Sequence, residues 1–107
     1  MATVFDRDRI YLEESMPALT SEEAGSLLET LPNWWIENGE LVRAFKFEDF
    51  LAAMRFVNKV AELAEAAGHH PDIDIRYNRV RLALVTHDAG GLTKKDFDLA
   101  GLADGAL

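Results

Sequence analysis

At 107 residues and 49% hydrophobic content, the chain can bury one continuous core and is expected to fold as a single domain over residues 1–107 without a metal or disulfide staple. It contains no cysteine, which excludes a disulfide framework, a thiolate metal site and a cysteine nucleophile together, and fits a reducing compartment. The net charge of −8 argues against nucleic acid as a direct partner, because an acidic surface repels the polyanion whose counterions it would have to displace.

The charge is uneven. Residues 1–40 hold nine acidic against two basic side chains and residues 41–107 hold ten against nine, so the half that carries the histidines is nearly neutral. There is no basic segment followed by a short apolar run at the start, and no apolar run approaches the roughly 20 residues of a membrane-spanning helix. The expectation is a cytoplasmic protein with no membrane partner.

Residues 1–19 show no clear period and read as an irregular arm. Thr20-Ser21-Glu22-Glu23 opens a helix, with a hydroxyl to cap free N–H groups and carboxylates in the positive first turn; Leu27, Leu28 and Leu31 follow, and Pro32 ends it. Trp34 to Glu37, Asn38-Gly39 and Glu40 to Phe47 read as a β-hairpin, since Asn-Gly tolerates the positive φ of a type I′ turn. From Phe50 to Ala67 one apolar stripe runs Phe50, Met54, Val57, Ala61, Ala64 and a second Ala53, Phe56, Val60, Leu63, giving a long helix with a wide buried face. Asp49 is its expected N-cap and Gly68 its left-handed terminator.

Beyond His69-His70-Pro71, Ile73 to Tyr77 and Arg79 to Thr86 alternate apolar and polar residues, giving two half-buried strands joined at Asn78. Asp88 to Gly91 forms a loop. Thr93-Lys94-Lys95-Asp96 resembles a capping box that opens a last helix, which is expected to fray toward Gly101 and Gly105. The order α-β-β-α-β-β-α predicts an α+β fold: one four-stranded antiparallel sheet with about three helices on one face.

The three histidines fall at element ends, two just past a helix C-terminus and one at the expected end of a strand, where side chains from different elements converge. Imidazole both gives and takes protons near neutrality, so three of them in one pocket suit proton transfer without a nucleophile. The competing reading is capping or surface placement, which a helix C-terminus favours for a cation. Glu65 sits in the last helical turn, where the dipole disfavours a carboxylate, so either solvent or a nearby histidine offsets the cost. Asp96 reads equally well as the capping partner of Thr93. Trp34 and Trp35 read as packing residues ahead of a ligand platform. A three-histidine zinc site is disfavoured: neighbouring His69 and His70 aim awkwardly at one ion, and no H-x-x-x-H or H-E-x-x-H spacing occurs.

Taken as one string, Glu65-x-x-x-His69-His70-Pro71, Tyr77, His87 and Asp96 fix seven positions across 32 residues. This string is similar to the signature of the pterin-4a-carbinolamine dehydratases. The Trp-Trp hairpin, Arg43-Ala-Phe45-Lys-Phe47 and Gly91-Leu92-Thr93 agree, so the resemblance covers about Thr20 to Leu102. It implies dehydration of 4a-hydroxytetrahydropterin to quinonoid dihydropterin and water, with no metal or organic cofactor, in pterin recycling after aromatic amino acid hydroxylation. It further implies that His69 and His87 donate and accept protons, that His70 mainly holds the pterin, and that Glu65 and Asp96 orient the imidazoles. Groups of His69 to Pro71 and of Thr86, His87, Asp88 and Ala89 would line the ring. Ile73 and Ala89 depart from the Trp and Cys often found there in animal members, which reduces aromatic cover but removes no acid or base. The resemblance also implies a homodimer or homotetramer, which would protect edge strands. The alternative function is a non-catalytic interaction, coactivator or assembly-chaperone module on the same fold.

Overall fold

The computed structural model describes residues 17–107. All but the last three residues of the expected irregular arm lie outside the described residues; 17–19 carry no helix or strand, and the Leu19 N–H donates to the Leu92 carbonyl at 2.8 Å. The elements are α1 (Ser21–Leu28), β1 (Trp35–Glu37), β2 (Glu40–Lys46), α2 (Phe50–Ala67), β3 (Asp72–Arg76), β4 (Arg79–Leu84), a one-turn 3₁₀ helix (His87–Ala89) and α3 (Lys94–Gly105). The expected α+β order is the observed one. The strands form one antiparallel sheet in the order β1-β2-β4-β3.

Alternation decides which sheet face is covered. Leu41 and Phe45 of β2 and Val80, Leu82 and Leu84 of β4 point one way and join the core with Ala53, Phe56, Val60 and Ala64 of α2 and Leu99, Ala100 and Ala103 of α3. On α2 the buried arc follows the Ala53-Phe56-Val60 stripe plus Val57 and Ala64, while Phe50 and Ala61 face outward. The two apolar stripes together wrap more of the helix than its neighbours cover.

The termini follow local chemistry. Thr20 and Glu23 form a reciprocal capping box, and Asp49 accepts from the Ala52 N–H at 2.9 Å. Asn38 and Gly39 sit at φ 52 and 78, as a type I′ turn requires. Trp34 precedes the first strand; it packs edge-on against Phe45, and its indole N–H reaches the Asp104 carboxylate at 2.9 Å. Helix α3 continues through the expected fraying point at Gly101, because burial of Leu99, Ala100 and Ala103 outweighs the glycine penalty.

Two strand boundaries differ from the sequence reading. Tyr77 is in the turn, at φ 53 and exposed, because Asn78 is held by Phe47: its side-chain amide donates to the Phe47 carbonyl at 2.9 Å while its own carbonyl accepts from the Phe47 N–H at 2.8 Å. Strand β4 stops at Leu84, opposite Leu41, so His87 opens the 3₁₀ turn instead of closing a strand. Beyond it, Thr86 makes one isolated bridge to Gly91, which closes the 86–91 loop. Among the described residues no helix is long and apolar enough to cross a membrane.

Candidate active site

His69 is placed by the end of α2. Gly68 takes the left-handed conformation (φ 65, ψ 29), and the His69 N–H then bonds back to the Ala64 carbonyl at 3.1 Å, which terminates the helix and turns the chain toward α3. There the His69 ring meets Asp96, with Nε2 2.6 Å from Oδ1; the histidine side chain is 12% exposed and the aspartate fully buried.

The other carboxylate oxygen of Asp96 has separate partners. Oδ2 accepts from the Thr93 N–H at 2.9 Å and from the Thr86 hydroxyl at 2.8 Å. Asp96 thus caps α3 through one oxygen and contacts the His69 imidazole through the other.

His70 points elsewhere. Its Nε2 lies 2.9 Å from Glu65 Oε1, with side chains 63% and 82% exposed, so solvent and a histidine both ease the carboxylate at the end of α2. His87 is exposed; its carbonyl accepts from the Gly90 N–H at 3.0 Å, while its imidazole makes no hydrogen bond among the described residues.

These three histidines line one open cleft of about 350 Å³, together with Thr86, Asp88, Gly68, Val85 and Lys95. Of the residues expected to surround a substrate, His69, His70, Thr86, His87 and Asp88 are on its wall; Pro71 and Ala89 are not among the lining residues. Glu65 and Asp96 are not among the lining residues, and each contacts one of the lining imidazoles. Lys95 also lines the cleft; in the sequence it stands out only as a member of the Thr93–Asp96 capping box, and its position next to Asp96 is the one signal that places it here. A larger groove of about 470 Å³ lies between α2 and α3 near the C-terminus, lined by Leu63, Leu102 and Leu107 with Lys59 and Glu62. It contains no histidine, so the smaller cleft is where acid–base groups collect. Trp34 and Trp35 lie outside this cleft, and among the described residues no group of three histidine or carboxylate side chains is arranged to hold a metal ion.

Chemically, the cleft offers a ring nitrogen backed by a buried carboxylate, a solvent-facing imidazole without a partner among the described residues, and a third imidazole beside an exposed carboxylate. Such a set can take a proton from one side of a bound molecule and deliver one to another.

Known proteins resemble this chain in sequence and in fold. The family model described as pterin 4 alpha carbinolamine dehydratase matches residues 17–106. A protein of Acidobacterium capsulatum named for pterin-4-alpha-carbinolamine dehydratase is 62% identical over 92 residues, covering 86% of this chain and all of that one. A Chloroflexus aurantiacus protein of the same name is 63% identical over 89 residues, covering 83% and 96% of the two chains. Among solved structures, a transcriptional coactivator/pterin dehydratase from Brucella melitensis superposes with a TM-score of 0.80 at 34% identity, covering 83% of this chain and 97% of that one. A pterin dehydratase-like RuBisCO assembly factor of the alpha-carboxysome shares the fold, with a TM-score of 0.57 at 22% identity over 68% and 84% of the two chains. By the family match and by these relatives, the chain belongs to the pterin-4-alpha-carbinolamine dehydratase family.

Proposed function

We propose that the protein is a hydro-lyase that converts 4a-hydroxytetrahydropterin to quinonoid dihydropterin and water by histidine acid–base catalysis, and so serves pterin recycling after aromatic amino acid hydroxylation. The observation that carries this reading is the shared cleft: His69, His70 and His87 come from two separate stretches of chain and line the same cavity.

Carbinolamine dehydration needs only a base at N5 and an acid at the departing hydroxyl, each held at the right distance. His69 and His87 take those two parts. His70, tethered by Glu65, mainly holds the pterin, with main-chain groups of His69 to Pro71 and of Thr86 to Ala89 along the ring. No metal or organic cofactor enters the reaction, and the protein works in the cytoplasm as a homodimer or homotetramer.

Stopped-flow measurement of 4a-hydroxytetrahydropterin loss tests this. The protein accelerates the loss over buffer; His87→Ala lowers turnover more than it weakens substrate binding, and His70→Ala chiefly raises KM. Absence of any acceleration would favour a non-catalytic interaction, coactivator or assembly role instead.

A further inference from the structure

Behind His69 lies a chain of side-chain hydrogen bonds whose direction is fixed by the donors available. Asp96 is fully buried and Thr93 is 1% exposed. An ionised carboxylate only accepts, so the Thr86 hydroxyl spends its single proton on Asp96 Oδ2, at 2.8 Å. The 2.8 Å contact between the two threonine hydroxyls must then run from Thr93 to Thr86. Thr93 Oγ1, its own proton committed, accepts from the Lys95 N–H at 3.3 Å. Oδ2 also takes the Thr93 N–H, which leaves Oδ1 to His69 Nε2.

We propose that Thr93 and Thr86 form a one-way pair of hydroxyls that commits Asp96 to accepting, and thereby fixes His69 as the Nε2–H tautomer with its Nδ1 lone pair left to act as the base. Among the described residues Nδ1 has no hydrogen-bond partner, and the ring lines the cleft. The opposite tautomer would set a nitrogen lone pair against a fully buried carboxylate at 2.6 Å. Thr86 and Thr93 are thus positioning residues, acting on the substrate only through Asp96 and His69.

In the proposed dehydration, the N5–H proton passes to Nδ1 and the N–H electron pair becomes the second bond of C4a=N5. The C4a–O bond breaks, and the hydroxyl leaves as water with a proton from His87. The imidazolium formed at His69 is held by Asp96. Only this step rests on the proposed function; the tautomer does not.

Nitrogen-15 NMR of the histidine rings in the substrate-free protein reads the tautomer directly. The neutral His69 ring is expected as Nε2–H in the wild type. In Asp96→Asn the two donors at Oδ2 still demand an oxygen, so the amide NH2 turns to His69 and the ring inverts to Nδ1–H. Adding Thr86→Val to Asp96→Asn removes one of those donors and gives a mixture of tautomers, whereas adding Thr86→Ser keeps the inversion. An Nδ1–H ring in the wild type overturns the proposal, as does an Asp96→Asn ring that stays Nε2–H or a double variant with Thr86→Val as fully inverted as the single one. In kinetics Asp96→Asn lowers kcat about a hundredfold with KM within about twofold. A wild-type protein with the Nε2–H ring but no dehydratase activity would support the relay and contradict the reaction.

Discussion

The two oxygens of Asp96 serve different elements: Oδ2 closes the first turn of α3, and Oδ1 holds His69, which follows α2. Removing the carboxylate takes away half of the α3 capping box and leaves the Thr86 hydroxyl and the Thr93 N–H without their acceptor. Asp96→Ala is therefore expected to destabilise the fold by about 2–3 kcal/mol, measurable by urea denaturation. Glu65 differs, because its partner His70 and the carboxylate itself are largely exposed. Glu65→Gln should change stability by less than about 0.5 kcal/mol, so a rise in KM in that variant would report on how His70 is held and not on folding. At this scale the sequence offers Glu65, His69, His70 and Asp96 as candidates but not which imidazole each carboxylate contacts. Glu65 lies within five residues of His70, a reach that helix geometry suggests, whereas His69 and Asp96 are 27 residues apart and meet only through the packing of two helices.

Elements were most legible where a single residue type dictates the backbone. Asn38-Gly39 and Gly68 take the positive φ expected of them, and Thr20, Asp49 and Thr93 all cap helices. Boundaries failed where a distant partner decided them. Tyr77 alternates like a strand residue but is drawn into the turn by the Asn78–Phe47 pairing, and β4 ends early because Leu84 is already paired with Leu41, next to the first residue of β2. The end of α2 is the element-level feature that matters most to the site. At Gly68 a Cβ would meet open space, so Gly68→Ala creates no clash and isolates the backbone cost of φ 65. A loss of about 1 kcal/mol is expected, read as a lowered Tm, together with altered His69 ring shifts because that residue is set by the same turn.

In the whole molecule, the sheet and helices α2 and α3 act as a frame that holds two loops face to face. Leu82, 1% exposed at the centre of β4, packs in the same core as Val60 and Ala100. Leu82→Ala is expected to cost about 3 kcal/mol, detected as an earlier denaturation midpoint, while the variant that still folds retains its cleft. The class and element order could be read from periodicity because each apolar stripe is local. The cleft could not, since it depends on how the end of α2 and the 86–91 loop are brought together in space. The signature of histidines and acids supplied that link by resemblance, and the coordinates supply it by geometry. The central claim is that one flat guest touches His69, His70 and His87 at once. Titration of the protein with a stable dihydropterin, followed through the ring signals of all three histidines, tests it most directly: the three should move together along one saturable curve, whereas movement of only one ring, or perturbation confined to the Leu63–Leu102 groove, would contradict it.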